Sequence, residues 1–309
     1  MSTITQTVKQ SPYFSELVNS MLELHELAMN GRDETPEADR IHDTMEHAWW
    51  KVSDVEQNLV NGLSGDLISI ESPGLSRIAT QLEGTIPQPS SKAEWIELLE
   101  WLRLNDANIP ADQLAFLRGN AWVALGQHRA AEVFFREAYR LHSIEDLYGD
   151  SYAVVWIRAL EAIRALDRLD EVTTNFLESS RSHMRRIASA CARFQIAAKV
   201  PTYLARRSWQ EIGNEISREL ESAVPGQSKT LDDLIDNAQI CLGFIYFLTG
   251  RRTDAELTCE RVAARTPDHP GTRELRRFLR GEIPLNEESE SINRLVDIQI
   301  TDVPPPLAA

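Results

Sequence analysis

The sequence predicts an all-α protein, and three observations carry that prediction. Apolar residues recur at three- and four-residue spacing along most of the chain, the stripe of amphipathic helices. The stretch from Ala111 to Val200 contains no proline and only three glycines, with no sign of the two-residue alternation of half-buried strands. Two segments also repeat one pattern of glycine, aromatic and alanine residues at identical offsets.

The elements follow in order. Phe14, Leu17, Val18, Met21, Leu24 and Ala28 form the first stripe, closed at Asn30-Gly31. Thr35-Pro36 opens a second helix, with proline at the first turn where its missing N–H costs nothing. Ser53 and Glu56 have the spacing of a capping box, and Val55, Leu59, Leu63 and Leu67 follow on one face. Residues 1–70 therefore read as a three-helix N-terminal segment. Residues 71–110 read as a linker holding one helix, because Pro73-Gly74 and Pro87 to Ser91 break the pattern. Ser91 and Glu94 make a second capping box before Trp95, Leu98, Leu99 and Leu102.

From 111 to 281 the spacing predicts helical hairpins, with breaks near Gly126, His142-Ser143, Asp167, Ser180, Pro201, Pro225-Gly226, Gly250 and Pro267 to Pro270. Residues 282–309 form an acidic, extended tail in which Val296, Ile298 and Ile300 alternate before Pro304-Pro305-Pro306. Docking of that tail and disorder remain equal alternatives.

The repeated pattern places Gly119, Trp122, Gly126, Ala131 and Phe135 at the same offsets as Gly243, Tyr246, Gly250, Ala255 and Cys259. A mid-helix glycine costs up to about 1 kcal/mol of propensity, so a close neighbour should compensate at Gly119 and Gly243. The second glycine of each copy should end its helix in a left-handed cap. These residues, with Leu242 and Pro267 in the second copy, resemble the tetratricopeptide repeat. The resemblance implies an irregular α-solenoid of helical hairpins with an N-terminal helical cap. Trp156, Ile163, Asp167, Val172 and Phe176 fit a degenerate third copy. The segment from Leu24 to Ser64, with Trp49-Trp50 and Gly62-Leu63-Ser64, resembles a helical preamble of uncharacterised bacterial proteins, a family that implies no activity.

Charge narrows the function. Asp+Glu 47 against Lys+Arg 32 give a net charge of −15, which argues against a nucleic-acid binder. Nothing resembles a secretory signal or a membrane span, and three scattered cysteines suggest reduced thiols in a cytoplasmic protein. P-loop, Cys-x-x-Cys, G-x-G-x-x-G and G-x-S-x-G motifs are all absent, so no cofactor or catalytic function is expected. His42, Asp43, Glu46 and His47 crowd one helix, but no second Asp/Glu-x-x-His accompanies them, and a solvated charged face explains them better than a metal site.

Between Glu178 and Glu211 no acid occurs, while Arg181, Arg185, Arg186, Arg193, Lys199, Arg206 and Arg207 add seven positive charges. Three readings stand: an internal match with the acidic tail or N-terminal helices, an acidic protein partner, or nucleic acid or anionic lipid. Adjacent Trp49 and Trp50 cannot both point inward, so one is a candidate anchor. The expected function is a non-catalytic scaffold or adaptor. It would hold an extended peptide or a protein subunit on the concave face of the array, with these arginines and tryptophans as candidate contacts. The alternative is a structural subunit of a stable assembly, with self-association through Trp49, Trp50 and the tail.

Overall fold

The computed structural model describes residues 11–71, 86–200, 203–204 and 207–282, and they form helices with no strand among them. Thirteen α-helices are described: α1 (Pro12–Met29), α2 (Pro36–Trp49), α3 (Asp54–Glu71), α4 (Lys92–Leu104), α5 (Ala111–Ala124), α6 (His128–Leu141), α7 (Leu147–Ala162), α8 (Leu166–Ser179), α9 (His183–Lys199), α10 (Trp209–Ser222), α11 (Lys229–Leu248), α12 (Arg252–Arg265) and α13 (Pro270–Leu279). They fall into two compact units that divide at His142/Ser143. This boundary lies inside the 111–281 segment, because α5 and α6 pack against α4 and α1. The acidic tail expected over 282–309 lies, beyond residue 282, outside the described residues.

In the first unit α1 buries Phe14, Leu17, Val18 and Leu22 against α2, α3 and α6. The capping box at Ser53 is reciprocal: Ser53 N donates to Glu56 Oε2 at 2.9 Å, and Glu56 N donates to Ser53 Oγ at 3.4 Å. Glu56 does a second job, accepting Ser11 N at 2.7 Å and so tying the start of α1 to α3. At α4 the expected box is shifted: Glu94 N uses Ser91 Oγ, but the Glu94 carboxylate accepts from Ser90 N at 2.6 Å. Buried Asp66 on α3 pairs with Arg103 of α4 at 3.1 Å and with Arg118 of α5 at 2.8 Å. Leu98, Leu102, Ile109, Leu114 and Leu117 close the core between α4 and α5. Each such buried leucine contributes about 2 kcal/mol, whereas the exposed Arg32–Glu37 pair contributes under about 1 kcal/mol, so the apolar stripes hold this unit.

In the second unit the first helices of successive hairpins pack side by side, α7 on α9, α9 on α11 and α11 on α13. The second helices α8, α10 and α12 each pack between their own first helix and the next one.

One cap recurs after α5, α7 and α11. After α5, Gly126 N donates to Val123 O at 2.8 Å and Gln127 N to Trp122 O at 2.8 Å. After α11, Gly250 N donates to Phe247 O at 3.1 Å and Arg251 N to Tyr246 O at 2.7 Å. Both glycines are left-handed, with φ of 77° and 80°, and the pair of bonds is a Schellman cap. After α7 the same two bonds run from Arg164 N to Glu161 O and from Ala165 N to Leu160 O, each at 3.0 Å. Arg164 takes the left-handed position with φ 55°. The third copy therefore has its turn at Arg164, not at Asp167. Its register lies three residues earlier than the sequence suggests, with Leu160, Leu169 and Thr173, all fully buried, in place of Ile163, Val172 and Phe176. The missing glycine hid the turn.

The two mid-helix glycines make room for side chains. A Cβ on Gly119 would lie 2.4 Å from Phe135 Cε1, and one on Gly243 would lie 2.6 Å from Leu275 Cδ2. Ala131 and Ala255 are fully buried but are not what fills those spaces.

Candidate functional site

The basic stripe is built into the second unit. Arg185 is buried, donating from Nε to Asp150 Oδ1 at 2.7 Å and from its other nitrogens to the carbonyls of Ser143 and Ile144 at 3.2 and 2.6 Å. Arg193 is buried too, pairing with Glu215 at 2.7 Å and with the hydroxyls of Thr173 and Thr174. Arg186 donates to Glu219 at 2.8 Å, and Arg207 to Glu215 at 3.2 Å. Arg185 and Arg193 are thus core ion-pair residues and cannot form a partner-facing stripe. Their acids lie on α7 and α10 of the same unit, neither in the tail nor in the N-terminal helices. Sequence spacing could not show this, since the acids lie more than twenty residues away. Arg181 is exposed, and its backbone N–H donates to Glu145 at 2.8 Å. Arg206 lies outside the described residues.

Trp49 and Trp50 divide as their adjacency requires: Trp49 is half-buried and Trp50 is 78% exposed. His42, Asp43, Glu46 and His47 are all exposed on α2. Among the described residues no group of three or more His, Cys, Asp or Glu side chains could hold a metal ion. No helix among them is long and apolar enough to cross a membrane.

The polar site lies elsewhere, where α7, α9 and α11 meet. Ile157, Arg158 and Glu161 from α7, Cys191, Phe194 and Gln195 from α9, and Asn237, Ile240, Cys241 and Phe244 from α11 line a cavity of about 30 Å³. That volume holds roughly two water molecules. Arg158 is the sole charge between Ser151 and Leu160, so an otherwise apolar helix delivers a guanidinium to this wall. No described carboxylate lies within ion-pair distance of it, and burial pushes its pKa down against the pull of Glu161. Burial likewise pushes the Glu161 carboxyl up to about 7, although Arg158 and Lys199 act to lower it. With its amide nitrogen turned toward Glu161, Gln195 donates to both carboxylate oxygens at 3.0 and 2.9 Å. Asn237 Oδ1 is buried and accepts no hydrogen bond. The cavity therefore presents a half-buried cation, an acid poised near neutrality and an unused acceptor beside apolar side chains. Buried polar groups are ordinarily matched, so the unpartnered Asn237 Oδ1 beside the shifted Glu161 carboxyl marks the site.

Comparison with protein-family models, with curated proteins and with solved structures finds no match to the chain. The site thus rests on its own geometry. The sequence signal for it is slight: Arg158 is a lone charge in an apolar run, but Asn237 stands among Asp232, Asp233, Asp236 and Gln239, and only packing brings the three helices together.

Proposed function

We propose that the chain is a non-catalytic interaction scaffold built on tetratricopeptide-like hairpins, in which the face of α7, α9 and α11 receives an extended peptide or a protein subunit. The observation that carries the reading is Arg158. A half-buried guanidinium that lines one cavity with Ile157, Phe194 and Phe244, without a described counter-ion, is partly desolvated, and a ligand's oxygen atoms would offset that cost. Asn237 Oδ1 would accept an N–H from the same ligand. Apolar neighbours would cover side chains, giving the mix of few polar anchors and apolar wall that binding clefts use. Three buried free thiols fit a reducing compartment, the cytoplasm.

Affinity capture from the native cell with wild-type protein and with Arg158→Gln tests the reading. A partner held by wild type and lost from Arg158→Gln, at an unchanged thermal midpoint, supports it. The same partners recovered from both proteins would reject this face.

A second reading draws on Trp50. An indole 78% exposed at the end of α2 is an anchor of the kind found at subunit contacts, and favours a structural subunit. Light scattering after size exclusion tests it: an oligomer that Trp50→Ala converts to monomer supports the subunit role, and a wild-type monomer removes it.

A further inference from the structure

The outer face of α13 carries a stripe of positive charge. Arg273, Arg276, Arg277 and Arg280 are all exposed, and their spacing gathers them within about 100° of arc. Leu275, Phe278 and Leu279 are buried on the other side. Glu274 pairs with Arg277 at 3.1 Å, but among the described residues no ion pair reaches Arg273 or Arg276. The helix dipole accounts for cations near a C-terminus but disfavours Arg273, one turn from the N-terminus. The first turn holds no acid to offset that charge.

The chain itself brings acid to this face. Gly281 is left-handed with φ 70°, and Gly281 N donates to Phe278 O and Glu282 N to Arg277 O, both at 3.0 Å. This Schellman cap turns the chain off the helix axis. It sets the Glu282 carboxylate 3.9 Å from Arg277 and 3.6 Å from Arg280. Arg252 of α12 donates to the Leu279 carbonyl and holds this last turn in place. Residues 283–309 lie outside the described residues, but their sequence carries five acids against one base, with Glu287, Glu288 and Glu290 close together.

We propose that the segment 287–290 docks on the arginine face of α13, so that the chain's own acids cover it. The reach is sufficient. An extended chain covers about 3.4 Å per residue, so Glu287 reaches about 17 Å and Glu290 about 27 Å from Glu282. From end to end α13 rises about 15 Å. One exposed ion pair contributes little, but four arginines facing a tethered cluster of acids act as a network at high effective concentration. The docked segment keeps acidic chains of other molecules off the same face. None of these arginines lines the cavity of α7, α9 and α11, so the inference stands apart from the binding role proposed above.

Phenylglyoxal footprinting of the native full chain tests the proposal. The reagent adds to accessible guanidinium groups, and peptide mass mapping gives a rate for each arginine. At low ionic strength the α13 arginines should react several-fold more slowly in wild type than in the full chain carrying Glu287→Gln, Glu288→Gln and Glu290→Gln. At about 1 M salt, where screening acts within about 3 Å, the two proteins should react alike. Arg181, exposed in the turn between α8 and α9, should react at one rate in both. Should the triple variant fail to fold, the wild type decides alone: relative to Arg181, its α13 arginines must react several-fold faster at about 1 M salt than at low salt. Dilution should leave the protection unchanged, because the segment is tethered to the helix that it covers. Equal rates on α13 in both proteins at low salt would overturn the proposal. So would protection that survives about 1 M salt, which charge does not explain, or protection lost on dilution, which belongs to the tail of a second copy.

Discussion

Gly119 on α5 faces the ring of Phe135 on α6 so closely that any Cβ at position 119 would stand 2.4 Å from the ring. Ordinarily alanine gains about 1 kcal/mol over glycine inside a helix. Here the clash wins, because Phe135 is 2% exposed and has nowhere to move. Gly119→Ala should therefore destabilise the protein by about 1–3 kcal/mol in denaturant melts. Phe135→Leu in the same chain should recover part of that loss, and the coupling measured by the double-mutant cycle should be clearly non-zero. Additive effects would show that the ring does not limit position 119.

Arg164 carries the strain that Gly126 and Gly250 avoid. All three hold the left-handed position of the same cap, but only Arg164 has a Cβ. Arg164→Gly should leave stability unchanged or raise it by up to about 1 kcal/mol, since relief of strain competes with the greater freedom of glycine in the unfolded chain. Gly250→Ala should cost about 1–2 kcal/mol even though open space surrounds it, because its φ is 80°. Equal effects of the two substitutions in thermal melts would contradict this account.

Arg185 and Asp150 should behave as one unit. Arg185→Ala strands a buried carboxylate and two carbonyls, at a cost of about 3–5 kcal/mol. Arg185→Glu should be at least as damaging, so charge reversal there reports folding and not partner binding. Arg181→Glu, at an exposed site, should change the melting temperature little.

Glu161 sets a pH dependence. Its carboxyl is raised from 4.5 to about 7, so the folded chain holds the proton more tightly than the unfolded chain. Stability should therefore fall as pH rises from about 4.5 to about 7 and level off above that range. Glu161→Gln, which keeps the size and removes the charge, should flatten this slope and stabilise the protein by about 1–3 kcal/mol above pH 7. An unchanged slope in urea melts across that range would show that Glu161 ionises freely.

The helices themselves were legible because their signals are local. Thr35-Pro36, Ser53 with Glu56, and the left-handed glycines each act within one or two turns, and the observed ends fall where those residues place them. Legibility failed where a local signal was missing. Arg164 adopts a glycine's conformation without being glycine, so spacing alone puts the turn at Asp167. The site failed for another reason. The run of arginines leaves an internal match open beside a partner-facing stripe, and the acids that match it, Asp150, Glu215 and Glu219, come from α7 and α10 and not from the tail or the N-terminal helices.

Taken alone, the sequence determined the all-α class, the three-helix start, the hairpin rhythm from Ala111 onward and the two glycine caps at Gly126 and Gly250. Each depends on spacing along one chain segment, which periodicity and backbone stereochemistry dictate directly. Tertiary structure decided which charges are matched and which are left over. Burial and pairing are properties of distance between helices, and so only the packing of α7, α9 and α11 could turn Arg158, Glu161, Asn237 and two cysteines into a cavity while hiding Arg185 and Arg193 in the core.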